Sequence, residues 1–241
     1  MTHFVYVYLD SYAIWKEIEY SCKSVKKYYQ EKFKIYVVGD NPKLKGSHWV
    51  TSERIKGHKF AKSFDATQKL LDICARPDIN EDFVYMYDDI IFLRPVKKSY
   101  LTQIVANHHV KSPLKEAGRS IMASQRWKGQ HYKTLIELQN EGLPTYSYET
   151  HLPRMLNKKR VLEIINKYNL RTRPLLFATL YFNNYYPKPE ALLTNLPHRK
   201  ASIVQSYNST RIREKLKGKM FLNYEDRGLN RYLQAIIKDL F

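Results

Sequence analysis

The sequence predicts an α/β fold in one domain, with a mixed, mostly parallel sheet flanked by helices. Three observations lead there. Residues 4–10 form an unbroken apolar run that ends in Asp10, the pattern of a central parallel strand covered on both faces. Residues 13–29 follow with Ile14, Ile18, Cys22 and Val25 at helical spacing. Residues 34–40 repeat the strand pattern and again end in Asp. Strand, helix, strand at this spacing is a βαβ unit, and its crossover should be right-handed. A chain of 241 residues suits a single domain around one large core.

The remaining elements follow in order. Asn41-Pro42 and Lys45-Gly46 punctuate a loop. Residues 63–74 read as a helix with Phe64, Leu70, Leu71 and Cys74 on its apolar side, and Arg76-Pro77-Asp78 ends it. Residues 82–95 read as a strand, an acidic interruption at Asp88 and Asp89, and a second apolar segment stopped by Pro95. The middle of the chain predicts a short strand over 120–124 and a helix over 132–140. Residues 157–168 predict a helix with Val161, Leu162, Ile164 and Ile165 as its stripe. The aromatic-rich stretch 175–186 fits helix or strand, and 203–206 fits a strand. A last helix is expected from Asp226 or Gly228 to Leu240. Cys22 and Cys74 lie in apolar helical patterns and read as buried free thiols. No signal peptide precedes the first strand and no apolar stretch is long enough to span a bilayer, so a cytoplasmic location is expected.

A hydrophobic content of 44% and a charged content of 27% argue against disorder. The charge balance is less ordinary: 41 Lys and Arg oppose 23 Asp and Glu, for a net +18. A surface that basic attracts polyanions. The excess clusters, with seven Lys or Arg in 154–173 and seven in 199–219, each against one acid. Trp127, Tyr185, Tyr186 and Tyr207 add rings to this half. Basic surface with interleaved aromatics suits nucleic acid, through phosphate contacts and stacking. The alternative is a set of solvated helix faces.

Asp88 and Asp89 carry the clearest chemistry. Two adjacent carboxylates within an apolar run are costly to bury unless paired or metal-bound. At the C-terminal end of a parallel strand they lie where open α/β sheets bind ligands. Such oxygen ligands suit Mg²⁺ or Mn²⁺, with diphosphate oxygens completing the shell. The alternative is an exposed turn between two hairpin strands. His151, between Glu149 and Pro153, reads as a metal ligand, a phosphate contact or an acid–base group, or else as a loop residue that caps the next helix.

Segment 83–92 (FVYMYDDIIF) resembles the metal-binding segment of GT-A glycosyltransferases, and more closely that of the Stealth family of sugar-phosphate transferases. Segment 148–153 (YETHLP) resembles the later His-x-Pro segment of that family, and 221–228 (FLNYEDRG) resembles a C-terminal segment of phage and bacterial relatives. The three occur in the expected order. The first Asp of a GT-A Asp-x-Asp motif falls here at Tyr87, so Asp89 takes the metal and Asp88 supports it. The resemblance implies a GT-A-like, Rossmann-like domain in which 1–95 bind metal and nucleotide-sugar and 96–241 bind the acceptor. It implies a divalent cation and a nucleotide-diphosphate sugar, a UDP-sugar, as donor. Asp10 would hold the nucleoside, Lys62 and Asp65 the nucleotide, and His151 the metal or a phosphate. Glu149, with Asp226 as rival, would take the acceptor proton. Asp65 also suits a charge near a helix N-terminus.

Joined to the basic surface, this reading makes DNA the expected acceptor, through a hydroxymethylated pyrimidine of the kind phages make. Three alternatives stand beside it: a Stealth-type sugar-1-phosphate transferase acting on a polysaccharide, a metal-dependent nuclease, and a non-catalytic nucleic-acid-binding protein.

Overall fold

The computed structural model describes residues 1–57, 60–123, 127–196 and 198–241. Strand β1 (Thr2–Tyr8), helix α1 (Glu17–Tyr28) and strand β2 (Phe33–Gly39) form the expected βαβ unit. They pair in parallel from Thr2 against Phe33 to Tyr8 against Gly39. Next come β3 (His48–Val50), α2 (Ala61–Ala75), β4 (Asp82–Met86), β5 (Ile91–Phe92), a short α3 (Lys98–Leu101), β6 (Val105–Ala106) and β7 (His108–His109). Helices α4 (Pro113–Ala123) and α5 (Trp127–Asn140) lead to β8 (Tyr146–Ser147), β9 (Arg154–Asn157), α6 (Lys158–Lys167) and α7 (Phe177–Tyr185). The chain closes with β10 (Ala191–Leu192), β11 (Lys200–Ile203), α8 (Ser209–Leu216), β12 (Phe221–Tyr224) and α9 (Arg231–Leu240).

The main sheet has the order β3-β2-β1-β4-β9. Its first four strands are parallel, and β9 joins β4 antiparallel. Phe4, Val5 and Tyr6 are fully buried, which is why this strand reads as a continuous apolar run rather than an alternation. The strand order reverses at β1, with β2 on one side and β4 on the other. Ligands of open α/β sheets bind in the crevice at such a reversal, beyond the carboxyl ends of the strands. A second sheet, β11-β12-β5, pairs β12 parallel to β11 and antiparallel to β5. It has its own apolar core with α8 and α9, from Ile203, Ile212, Leu222, Leu233 and Ile237. Among the described residues no helix is long and apolar enough to cross a membrane.

Several local expectations need correction. Residues 120–123 belong to helix α4 rather than a strand, and Ser124 lies outside the described residues. An apolar pair as short as Ile121-Met122 has no period to tell strand from helix. The aromatic stretch resolves as helix α7, with Leu180, Tyr181 and Phe182 buried together. Strand β11 starts at Lys200 and ends where the sequence placed its start. Asn230, not Asp226 or Gly228, caps the last helix, accepting from Tyr232 N and Leu233 N at 3.0 Å.

Candidate active site

Strand β4 ends at Met86, and Asp88 and Asp89 occupy the turn that follows. The strand beyond the turn does not fold back on β4. Strand β5 crosses to the second sheet, so the turn bridges two sheets rather than capping a hairpin. Two serines on the buried side of α1 fix it. Ser21 Oγ donates to Ile90 O at 2.5 Å, and Phe92 N donates to Ser24 Oγ at 2.9 Å. Both acids are half-buried.

Electrostatics mark this turn. Burial pushes the Asp88 carboxyl up to about 7, with the charges of Asp89 and then Glu17 adding to it. Glu17 is buried and accepts from the amides of Ile14 and Trp15 at 3.0–3.1 Å. The Tyr224 hydroxyl, pushed well above its ordinary value by burial and then by Glu17, Asp89 and Asp88, faces the same acids. Two buried oxygens here lack a hydrogen-bond partner: Asp89 Oδ1 and Tyr224 Oη. A buried carboxylate oxygen without a donor fits a cation. Among the described residues no group of three His, Cys, Asp or Glu side chains forms a metal cluster. The chain's own donors therefore suit a cation of the Mg²⁺ type, held by one or two carboxylates and completed by phosphate oxygens.

His151 approaches the same turn. Its Nδ1 lies 3.7 Å from Asp89 Oδ2, and its ring stacks on Tyr87 with centroids 5.0 Å apart. It has φ 46, a left-handed conformation that is uncommon outside glycine and concentrates at functional sites. Two cations back this face that the sequence reading left among the basic runs. Lys200 donates from Nζ to Thr150 O at 2.5 Å, next to the strained residue. Burial pushes Lys200 down to about 8, the Asp89 charge works against that shift, and Arg154 adds to it. Arg154, on β9, lies with its guanidinium carbon 5.9 Å from the Tyr87 ring centre. Neither spacing nor local pattern separates these two from the surface cations around them. Tyr224 was likewise visible only as part of a longer segment.

The other predicted residues are spread around the crevice. Asp10 is exposed just beyond β1, where it accepts from Tyr8 Oη at 2.9 Å while its amide donates to Asp40 Oδ2 at 2.9 Å. The two strand-ending aspartates thus meet. Gly39 (φ 121) permits this closure, because a Cβ there would lie 2.2 Å from Tyr8 O. Lys62 is exposed, with Nζ 4.2 Å from the ring centre of Tyr12, itself 45% exposed. Asp65 points inward: it pairs with Lys69 in the interior and accepts from Ile55 N at 3.2 Å. Glu149 Oε1 accepts from Thr179 Oγ1 at 3.0 Å and Thr179 N at 3.3 Å, at the start of α7. Asp226 is exposed in the turn after β12, without a hydrogen bond or ion pair among the described residues. The structure therefore unites Asp88, Asp89 and His151, sets Asp10 and Lys62 on the β1 side, and turns Asp65 away.

No family model and no curated protein matches this chain. Solved structures do. The galactosyltransferase LgtC in complex with donor and acceptor sugar analogues aligns with a TM-score of 0.52 at 9% identity, over 99% of this chain and 95% of that one. An active-site mutant of LgtC aligns at 0.50, with 9% identity and the same coverage. The apo-form glycosyltransferase GlyE of Streptococcus pneumoniae aligns at 0.50 and 11% identity, over 99% of this chain and 59% of that one. At such identities the likeness is one of fold, and the fold of this chain is that of GT-A glycosyltransferases.

Proposed function

We propose that the chain transfers a sugar from a nucleotide-diphosphate sugar, a UDP-sugar, to a hydroxyl of a polyanionic acceptor. One observation carries this reading: two adjacent carboxylates at the β1–β4 reversal, one with a buried oxygen that lacks a partner. Asp89 holds a divalent cation, Mn²⁺ or Mg²⁺, and Asp88 supports it. That cation, when bound, offsets the charge that grows on the leaving diphosphate. His151 completes the site or contacts a phosphate. Asp10 and Lys62 hold the nucleotide on the β1 side. Glu149 keeps one oxygen on Thr179 and turns the other to the acceptor, with Asp226 as its rival for the proton.

The polyanionic acceptor rests on the net charge of +18, and DNA carrying a hydroxymethylated pyrimidine is its most specific form. To reach a base within a duplex, the enzyme would have to flip or unstack it. The test offers radiolabelled nucleotide-sugars with modified DNA, unmodified DNA and acidic polysaccharide. Label in modified DNA alone supports the reading. Binding should then weaken with salt by roughly one log-log unit per phosphate contact. Label in polysaccharide alone overturns the DNA acceptor. A sugar-1-phosphate transferase is the second reading, favoured by the 3.7 Å approach of His151 to Asp89, which joins the two segments that resemble the Stealth family. Product mass separates the two, because a transferred phosphate adds its own mass.

A further inference from the structure

The hydroxyl of Tyr224 has no partner inside the fold. Strand β12 pairs antiparallel with β5, Phe221 against Phe92 and Leu222 against Ile91, and that register leads Tyr224, two residues on, toward Asp89. Leu222 and Tyr224 share one face of the strand and lie in the apolar core of the second sheet with Tyr20, Ile91 and Ile203. Tyr224 is only 5% exposed, so packing holds its ring and carries its hydroxyl inside the protein. A buried hydroxyl ordinarily finds a hydrogen-bond partner. Tyr224 Oη has none, and neither has Asp89 Oδ1.

The neighbouring charges narrow the choice of partner. They are Glu17, Asp89 and Asp88, all acids. An anionic group would add its charge to theirs, whereas a cation held by Asp89 offsets them. At neutral pH a tyrosine hydroxyl keeps its proton, so Tyr224 is no phenolate ligand for that cation. Ions of the Mg²⁺ type keep several waters when one or two carboxylates bind them. Such a water gives a lone pair to the ion and offers two hydrogens. A hydroxyl accepts as well as donates, so Tyr224 can take one of those hydrogens while a carboxylate takes the other.

We infer that Tyr224 is a positioning residue of the metal site: its hydroxyl holds a water of the divalent cation that Asp89 binds. This role rests on the reading of Asp89 as the residue that holds the cation. Groups one step beyond the ligands orient what the ion carries, and their loss weakens metal binding.

The test compares the native chain, Tyr224→Phe and Asp89→Asn in two measurements. The free Mn²⁺ signal in electron paramagnetic resonance, with and without UDP, gives the dissociation constant of the ion. Tyr224→Phe should bind Mn²⁺ about 10–100-fold more weakly than the native protein. The melting temperature in the presence of a chelator reads the fold alone. There Tyr224→Phe should equal or exceed the native protein, because it removes a buried polar atom that had no partner. A hydroxyl that serves the fold gives the opposite pattern. Native Mn²⁺ affinity in Tyr224→Phe, or a lowered melting temperature in chelator, therefore overturns the role. When Asp89→Asn weakens Mn²⁺ binding and Tyr224→Phe does not, only the role of Tyr224 falls. When the native chain and Asp89→Asn bind Mn²⁺ equally, the metal reading of Asp89 falls and the role of Tyr224 with it.

Discussion

Residues 1–95 hold 15 Lys and Arg against 13 Asp and Glu, a net +2, whereas 96–241 hold 26 against 10, a net +16. In the first region four acids, Asp10, Asp40, Asp88 and Asp89, follow the carboxyl ends of the parallel strands β1, β2 and β4. The second places a few of its positive charges inside the fold and ties others to acids and rings. Lys158 is buried and donates to Arg76 O and to Ile79 O. Lys200 holds Thr150 O, and Arg154 and Arg199 are buried. Lys167 pairs with Glu141 and Arg173 with Glu137, each at 2.7 Å, while Arg160 lies 4.8 Å from the Tyr185 ring centre. A basic run in sequence is therefore not wholly a basic face. Most of the described Lys and Arg of this region remain exposed, Arg171, Lys217 and Arg227 among them, so an anionic acceptor would meet a surface only somewhat sparser than the count of cations suggests.

Substitutions sharpen this contrast between acids that serve a ligand and charges that serve the fold. The largest effect is expected at Asp89. Asp89→Asn should reduce transfer by about 10³-fold, the scale of losing one preorganised electrostatic contact, with little change in melting temperature. Product formation by mass spectrometry reads it, and activity that survives a chelator would break the assignment. Asp65 should behave in the opposite way. Its carboxylate is buried against Lys69, so Asp65→Ala leaves an unpaired buried ammonium and should cost about 3–5 kcal/mol in urea denaturation. A stable Asp65→Ala protein with weak donor affinity would instead return Asp65 to the nucleotide site.

These two aspartates also show what the sequence could tell. The parallel core was legible because a fully buried strand writes itself as an unbroken apolar run, as in 4–9 and 83–87. The acidic turn was legible because carboxylates interrupt such a run. Asp65 was not, because its partner Lys69 lies one turn along the same helix and that spacing also describes a surface pair. Lys200 and Arg154 were hidden for a related reason: only the tertiary packing of β9 and β11 buries them. His151 was legible as a residue, while its approach to Asp89 depends on a backbone turn that no periodicity encodes.

Smaller effects test the site more finely. His151→Ala should lower activity by about 10²-fold, the low end for a lost acid–base group, and leave the melting temperature nearly unchanged. Loss of folding in that variant would make His151 a structural residue of its strained turn. The smallest effect concerns pH. The folded-state value of Asp88, about 7, lies above its unfolded value, so the folded protein holds the extra proton. The stability this group contributes is present below its unfolded value and is lost as pH rises through about 7. With a chelator present, Asp88→Asn should melt above the native protein at pH 8, and the gap should close toward pH 4. Parallel curves would show that Asp88 is not the buried acid that the turn makes it.

The central claim, that the turn at Asp88 and Asp89 binds a nucleotide-sugar through a divalent cation, is tested most directly by thermal shift. A panel of nucleotide-sugars is added to the native protein and to Asp89→Asn, each with Mn²⁺ and with a chelator. Binding to the folded state raises the melting temperature by mass action. The account predicts that one UDP-sugar raises it in the native protein with Mn²⁺, and that the rise disappears with the chelator and in Asp89→Asn. No shift with any nucleotide-sugar, or an equal shift in Asp89→Asn, would contradict it.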